Sequence, residues 1–376
     1  MARRAVASAA LLMAALFGSS IPSAAASQGA APDLITGSAY LVTAGNLIGG
    51  HYYESFPGTA DWGLTIDGAL ALAATGDDDA ALRDIVAYIK NDGKDPSGTT
   101  INEWTGIGTS NASGGAIGKE ALLVEVTGGD PRRFGGHNLI AALDASVCTR
   151  AGTGCPGAGS YLNATSVFDQ AFGIIAQLRA GQVSEAAAPV AYLERLQSAN
   201  GAFPSLIPPS GGPDVDSTAM AVMALALAPG PRAAADVTAG IAWIASRQEH
   251  NGGFPDANAE SINSTGLAIQ ALTLRASAHR TQIGAALAFL AGQQNSNGGF
   301  NADAGQPGSN LRASTQAVGG AAGTSFGSLR IGLTSAAPAA SHSRQSGSTR
   351  APALVLAVAA VAIVALALLL VRRRRS

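Results

Sequence analysis

The chain has 376 residues, of which 13% are charged and 47% are hydrophobic, whereas about 25% of the residues in ordinary soluble domains are charged. Six of its 23 Lys and Arg residues lie at the two ends, so the body between them carries more acidic than basic side chains. An acidic body disfavours nucleic acid as a partner. The 47 glycines are spread between apolar runs, which is typical of a folded protein with many loops rather than of disorder.

The first 26 residues have the pattern of a secretory signal peptide. Arg3 and Arg4 precede an apolar run over residues 5–17, and the small residues Ala24 and Ala26 follow the helix breaker Pro22. The run is shorter than the ~18 to 20 residues that span a bilayer. We therefore expect residues 1–26 to be a signal peptide that is cleaved during export.

The middle of the chain repeats itself. Residues 192–203, 243–254 and 289–300 align without gaps on the pattern aromatic-x4-Gln-x3-Gly-small-Phe. This pattern is typical of a helix end, followed by a reversal whose positive φ favours glycine, and then an aromatic side chain that packs back.

A second, apolar helix is predicted after each reversal, and fainter copies of it occur earlier in the chain. Such a helix is apolar on nearly every side and belongs inside a protein. The copies come about every fifty residues, and five of their six aligned positions are Asp or Ser, as expected of residues that cap helix starts. These positions are Asp67, Lys119, Asp169, Ser217, Ser264 and Ser314.

Six such units predict six helical hairpins over residues 27–330. The hairpins could stack into an open solenoid or close into a ring, and a solenoid would need polar capping repeats that the sequence does not show. The sequence therefore predicts an all-α fold, an (α/α)6 toroid with an inner barrel of apolar helices.

The C-terminal end predicts attachment to a membrane. Residues 331–350 are rich in Ser, Ala, Gly and Pro, which indicates a flexible stalk. Residues 351–371 are apolar over a length that crosses a bilayer once. The basic residues 372–376 favour a cytoplasmic tail, which predicts a single-pass protein of the cell membrane with an extracellular body.

The two cysteines, Cys148 and Cys155, are predicted to form a disulfide. An exported protein meets an oxidising environment, in which paired cysteines form disulfides by default. A spacing of Cys-x6-Cys with five scattered histidines does not suit a metal site.

The repeats resemble the Gln-Trp repeats of squalene-hopene cyclases, with Phe where those enzymes often carry Trp. The stretch Asp214-Val-Asp216-Ser217-Thr-Ala resembles the Asp-x-Asp-Asp-Thr-Ala motif of class II terpenoid cyclases. The chain is thus identified as similar to the prenyltransferase and squalene cyclase repeat superfamily, which implies a toroid. In a cyclase Asp216 would be the acid that protonates an alkene, but Ser217 replaces the final Asp of the motif. The sequence therefore assigns no catalytic residue outright.

The resemblance leaves three interpretations open. The first is a non-catalytic, surface-anchored binding protein, distantly similar to the toroid domain of vitamin B12 carriers, which implies a corrinoid as a possible ligand and requires no cofactor. Its partners would be the small-molecule ligand, the membrane, an uptake transporter and a separate β-domain chain. The second is a terpenoid cyclase that uses Asp216. The third is a toroidal carbohydrate-active enzyme with Glu54, Asp61 and Glu103 as its carboxylates.

We expect the ligand to bind at the mouth of the ring, where the loops that lead into the inner helices converge. Aromatic side chains beside acids and amides suit a flat polar ligand, and we expect Trp62 and Trp104 to stack on it. The predicted ligand-binding residues are His51, Tyr52, Tyr53, Glu54, Asp61, Trp62, Glu103, Trp104, Asp214, Asp216 and Asn263.

Overall fold

The structure is a computed structural model that describes residues 30–210, 212–256 and 260–333. Two short antiparallel ribbons pair β1 (Glu54–Phe56) with β2 (Thr59–Ala60) and β3 (Phe254–Pro255) with β4 (Glu260–Ser261). The helices of this part are α1 (Leu34–Leu41), α2 (Trp62–Thr75), α3 (Asp79–Lys90), α4 (Ile101–Thr105), α5 (Gly114–Val126), α6 (Leu139–Ala145), α7 (Val167–Arg179), α8 (Ala187–Leu196), α9 (Val215–Leu225), α10 (Pro231–Ala245), α11 (Ile262–Leu272), α12 (Arg280–Gln293) and α13 (Leu311–Ala321).

Six of these helices form a closed inner ring. Helices α2, α5, α7, α9, α11 and α13 each pack against the next, and α13 packs against α2. Helices α1, α3, α6, α8, α10 and α12 lie outside them, while the short helix α4 precedes α5. The predicted helical toroid is therefore confirmed, and the open solenoid is excluded. The inner helices are buried on nearly every side, which explains their apolar sequences.

A repeated glutamine clamps the later units of the ring together at three junctions. Gln197 Nε2 donates to the carbonyl of Gly201 in its own loop at 3.0 Å and to that of Asp236 in the next outer helix at 2.8 Å. Gln248 makes the same two bonds one unit later. Because the amide reaches carbonyls of both units, it holds their helix ends in a fixed relation.

The third clamp closes the ring. Gln294 Nε2 donates to the carbonyl of Gly298 at 3.1 Å and to that of Asp33, the residue before α1, at 2.8 Å. The Asp33 amide returns a bond to Gln294 Oε1 at 2.8 Å. The last unit therefore binds the first by the contact that links the units between them.

Each repeated glycine lies against the backbone of the following outer helix. Gly298 has a φ of +87°, and a Cβ placed on it would lie 2.0 Å from the Thr36 carbonyl oxygen. Both the backbone conformation and the close approach therefore require glycine at this position.

The helix starts differ from the predicted ones. The side chains that accept the N-terminal amide bonds belong to Asp61, Ser113, Ser166, Asp214, Ser261 and Asn310. The prediction that the Asp and Ser residues at five aligned positions are N-caps is therefore wrong, because all of them lie inside the helices. An apolar pattern repeats with each turn, so a shift of one turn leaves it unchanged and the pattern alone does not fix the first residue.

The segment after α13 crosses the end of the ring opposite the mouth. Arg179, at the end of α7, pairs with Glu125 at 3.2 Å and donates to the carbonyls of Phe326 and Leu329 at 2.9 and 2.8 Å. The Ile331 amide donates to the Val126 carbonyl at 2.7 Å, which binds the segment to the end of α5.

Several predictions from the ends of the sequence fall outside the described residues. These are the signal peptide, the transmembrane helix, the cytoplasmic tail and the stalk beyond Leu333. No helix among the described residues is long and apolar enough to cross a membrane. The predicted disulfide between Cys148 and Cys155 is present, with their Cα atoms 5.7 Å apart.

Replacing Gly298 with Ala should destabilise the closure of the ring. The new methyl group would meet the Thr36 carbonyl, and φ is positive, so we expect the free energy of unfolding to fall by at least about 2 kcal/mol. Urea unfolding followed by circular dichroism measures this change. Gly305→Ala is the matched control, because no atom lies within 4 Å of its added Cβ, and equal losses in the two variants would contradict the clamp.

Removing the Arg179 side chain should destabilise the protein strongly. The Arg179→Ala variant leaves Glu125 buried without its partner, which costs roughly 3–5 kcal/mol in other proteins. Burial raises the pKa of Glu125 to about 7, against the opposing effect of Arg179, so proton uptake should make the loss smaller at pH 5 than at pH 8. In the control Arg83→Ala, which removes an exposed pair with Asp79, we expect a change below about 1 kcal/mol.

Candidate functional site

A cavity of ≈ 200 Å³ lies inside the ring, toward the end where the inner helices begin. Every inner helix contributes at least one side chain to its wall, and the segment after α13 contributes one more. The lining residues are Asp67, Lys119, Phe168, Phe172, Asp216, Asn263, Leu267, Arg312, Gln316 and Phe326. We call this space the lumen cavity.

Asp216 is the buried acid of the lumen cavity. It is the second residue of α9, whose N-terminus is capped by Asp214 through a bond of 2.6 Å from the Ser217 amide. The cap therefore does not use Asp216. Burial raises the pKa of Asp216 to about 6; the nearby Asp214 and Asp256 act in the same direction and the Ser264 hydroxyl opposes them.

Three buried polar atoms around Asp216 have no hydrogen-bond partner among the described residues. They are Oδ1 of Asp216, Oδ1 of Asn263 and Oγ of Ser264. Ser264 is close enough to lower the pKa of Asp216, yet its hydroxyl does not reach an ordinary bonding geometry. Buried polar groups are nearly always satisfied in folded proteins, so this cluster is arranged for a ligand or water.

Two cations face the lumen cavity from the other side of the ring. Lys119 Nζ lies 2.7 Å from Oδ1 of Asp67 and 5.2 Å from the centre of the Phe172 ring. Arg312 Nη2 donates to Oδ2 of Asp61 at 2.7 Å. Burial raises the pKa of Asp61, but bonds from Ser55 and Leu64 and the charge of Arg312 outweigh it, so the net pKa is lowered.

The structure brings five of the predicted residues to the mouth. Asp216 and Asn263 line the lumen cavity, and Asp214 and Trp104 line cavities beside it. Asp61 reaches the cavity wall through its bond to Arg312. These residues remain candidates for ligand binding.

Four of the predicted residues line none of the cavities at the mouth. Tyr52, Tyr53 and Trp62 lie in the core, and His51 is half-buried. The Trp62 ring packs against Tyr52 and Tyr88, and the His51 ring stacks on Tyr88 with centroids 4.2 Å apart. Contrary to the prediction, these side chains therefore pack within the protein, three of them against Tyr88 of α3.

Tyr53 is the counterpart of the repeat's Phe in the first unit. The Tyr53 amide donates to the Thr65 hydroxyl at 3.0 Å, just as the Phe203 amide donates to that of Thr218. Tyr53 therefore takes the position of the packed aromatic residue.

The two remaining predicted acids, Glu54 and Glu103, belong to local secondary structure away from the lumen cavity. Glu103 completes a capping box with Thr100 at the start of α4. Glu54 lies in β1 opposite Ala60. A carboxylate set of Glu54, Asp61 and Glu103 does not line the lumen cavity.

Sequence reasoning missed the residues that give the lumen cavity its charge. Asp67 and Lys119 stand at aligned positions of the repeat, and a charged residue within an apolar inner helix is itself a signal of a polar lumen. Arg312 carried a similar signal at the start of α13. Phe326 carried none, since it follows the last repeat.

Comparisons with known proteins agree with this architecture. The family model of the prenyltransferase alpha-alpha toroid domain matches residues 140–318. A structure of the type II terpene cyclase MstE from Scytonema, in complex with geranylgeranyl dihydroxybenzoate, is 14% identical, with 77% of this chain and 95% of that chain covered and a TM-score of 0.55. A glycosidase in complex with glucose is 14% identical, with 79% and 98% covered and a TM-score of 0.54. No curated protein matches the chain in sequence.

Residues 140–318 match the prenyltransferase alpha-alpha toroid domain, and the chain has the toroid fold of these structures. This confirms the resemblance that the Gln-x3-Gly repeats predicted. At 14% identity the solved structures show the fold alone, and they include both terpene cyclases and glycosidases. The likeness to vitamin B12 carriers stays a prediction.

The Asp216→Asn variant should be more stable than the wild type at neutral pH. An acid whose pKa is raised by folding costs native stability once it ionises, so its contribution falls as the pH rises from about 4 to about 6 and stays low above that. The shift corresponds to roughly 2–3 kcal/mol. Urea unfolding at pH 4 and pH 8 tests this: the stabilisation should be present at pH 8 and nearly absent at pH 4, and a variant that is less stable at pH 8 would contradict it.

Proposed function

We propose that the protein binds a hydroxyl-bearing ring, such as one unit of a saccharide, in the lumen cavity. The observation that carries this proposal is the unpartnered Oδ1 of Asp216 beside the unpartnered polar atoms of Asn263 and Ser264. Asp216 Oδ1 can accept a hydrogen bond from a ligand hydroxyl, and Lys119 and Arg312 offer donors across the cavity. Adjacent hydroxyls on one ring match such a mixture of donors and acceptors.

The wall of the lumen cavity also offers apolar surface for a ring. Phe168, Phe172 and Phe326 line it together with the polar groups. A sugar ring has C–H faces as well as hydroxyls, so it can use both kinds of wall. The glycosidase toroid that binds glucose has the same fold, which supports the choice of saccharides as the first ligands to test.

The size of the cavity favours a small ligand over a corrinoid. Its volume is ≈ 200 Å³, below the range of about 300–1,000 Å³ that is usual for drug-sized ligands. A corrinoid is larger than such ligands and would have to lie over the mouth. It would then need the separate β-domain chain as a cover, and that partner remains a hypothesis from the sequence.

The charges in the lumen argue against carbocation chemistry. The Lys119–Asp67 pair lies in the wall, and a carbocation would be repelled by the ammonium group and trapped by the carboxylate. Terpenoid cyclisation with Asp216 as the acid is therefore less favoured than saccharide binding. Phe168, Phe172 and Phe326 are the one feature of the lumen that suits it.

We expect this binding site to lie outside the cell. The predicted signal peptide and the predicted membrane helix at residues 351–371 support a protein that displays its toroid on the cell surface. In that setting, a bound ligand could be passed to an uptake transporter, as the binding interpretation of the sequence expects.

Acid catalysis by Asp216 is a second candidate function. Burial raises the pKa of Asp216 to about 6, whereas the pKa of Asp61 is lowered. Two carboxyls with pKa values pushed apart are typical of an acid and its ionised partner, and glycoside hydrolysis uses such a pair. Asp216 would then donate its proton to the leaving oxygen of a glycosidic bond.

Calorimetric titration with glucose, galactose, mannose and N-acetylglucosamine tests the proposal. We expect at least one of them to bind, and Asp216→Asn to weaken it tenfold or more, because the amide removes the charged acceptor. Asp84→Asn, an exposed substitution on α3, is the matched control and should leave the affinity unchanged.

The same preparation separates binding from catalysis. Release of nitrophenol from nitrophenyl glycosides by the wild type, lost in Asp216→Asn, would show the acid role. Binding without release would leave a binding protein. If none of the four sugars binds, or if Asp216→Asn and Asp84→Asn bind equally, the proposed function is wrong.

A further inference from the structure

Three more cavities continue from the lumen cavity along the rim of the mouth. The first, of ≈ 290 Å³, is bordered by Trp104 in α4 and Lys119 in α5. The second, of ≈ 310 Å³, lies over Asp216. The third, of ≈ 400 Å³, is bordered by Trp243 and Arg247 at the end of α10.

These cavities share walls and so form one furrow. Phe168 lines the lumen cavity and the first two of the others, while Asp214 and Ser205 line both the second and the third. The furrow therefore runs from Trp104, past the starts of α7 and α9, to Trp243. The lumen cavity opens near its middle, at Phe168 and Asp216.

Aromatic and hydrogen-bonding side chains line the furrow together, as they do in the lumen cavity, but over a greater length. Trp104 at one end is half-buried, and at the other end the Arg247 guanidinium lies 4.9 Å from the Trp243 ring centre. Hydroxyl, amide and carboxylate side chains line the stretch between them: Ser113, Asp169, Asn200, Ser205 and Asp214.

A single ring in the lumen cavity would leave this furrow unused. The walls on both sides of Asp216 repeat the pairing of aromatic and hydrogen-bonding groups, so units linked to that ring in either direction would meet similar surroundings. The polar lining between the two ends does not suit a continuous hydrocarbon chain, which would leave its hydrogen-bonding groups unpaired.

We propose that the ligand is a linear chain of linked sugar rings that lies along the furrow, with one unit in the lumen cavity at Asp216. This inference rests on the proposed function and extends it from one ring to a chain. Each added unit gains contacts in the furrow until the chain reaches Trp104 in one direction and Arg247 in the other.

Calorimetric titration with single sugars and their tetramers tests this inference. The probes are glucose against maltotetraose and cellotetraose, and N-acetylglucosamine against chitotetraose. We expect one tetramer to bind at least tenfold more tightly than its single unit. Equal affinity of each sugar and its tetramers would overturn the chain while leaving the single-ring site standing.

Two variants at opposite ends of the furrow locate the chain. Trp104→Ala and Arg247→Ala should each weaken the binding of the tetramer at least fivefold, and Arg247→Ala should leave the single sugar unaffected. Arg275→Ala, which removes an exposed arginine away from the furrow, is the matched control for Arg247→Ala.

Circular dichroism shows whether each variant folds. Trp104 is half-buried, so its replacement by Ala could disturb folding. In that case the exposed Arg247 alone tests the inference. If Arg247→Ala leaves the affinity for the tetramer unchanged, the proposal that a sugar chain spans the furrow is wrong. Failure of every single sugar to bind would overturn the proposed function, and with it this inference.

Discussion

The amide group of a repeated glutamine holds this fold together. Gln197, Gln248 and Gln294 each bind a carbonyl in their own loop and another in or before the next outer helix. A ring of hairpins needs a contact that works both between successive units and between the last and the first, and this amide supplies it at three junctions, including the one that closes the ring. Losing one amide would leave two backbone carbonyls without their donor, at a cost greater than the net value of a typical hydrogen bond.

The closed ring also determines what the lumen can contain. Each inner helix directs a side chain from its first turns toward the same small space, so isolated charges from different units become neighbours. Lys119 meets Asp67 in this way, and Asp216 is buried with an unpartnered oxygen. Such an acid reduces the stability of the free protein, and proteins commonly accept that cost where a group serves binding or catalysis. The same geometry supports both the proposed ring site and the furrow beside it.

The sequence was sufficient to predict the ring, because the Gln-x3-Gly pattern is local, recurs with constant spacing and matches the clamps of the structure. It was insufficient for the helix starts, since a shift of one turn preserves an apolar pattern. It also failed at Trp62, whose neighbour Tyr88 belongs to a helix that the repeat pattern does not align. Periodicity does not show which side of an all-apolar helix faces the lumen, so Arg312 was not predicted as a lumen residue. Phe326 enters the lumen from a segment with no repeat.

The contact between the two ends of the described ring has a consequence for how the protein folds. Asp33 and Gln294 are hydrogen-bonded although 261 positions separate them in the sequence. The first outer helix therefore becomes fully covered only after the last hairpin has folded against it. Until then, apolar faces at both ends of a growing array stay exposed, and such intermediates aggregate readily. A chain that loses its last hairpin would therefore present two unpaired edges and tend to associate with other copies. Closure of the ring is therefore favoured only after all six hairpins of the chain are present in the same compartment.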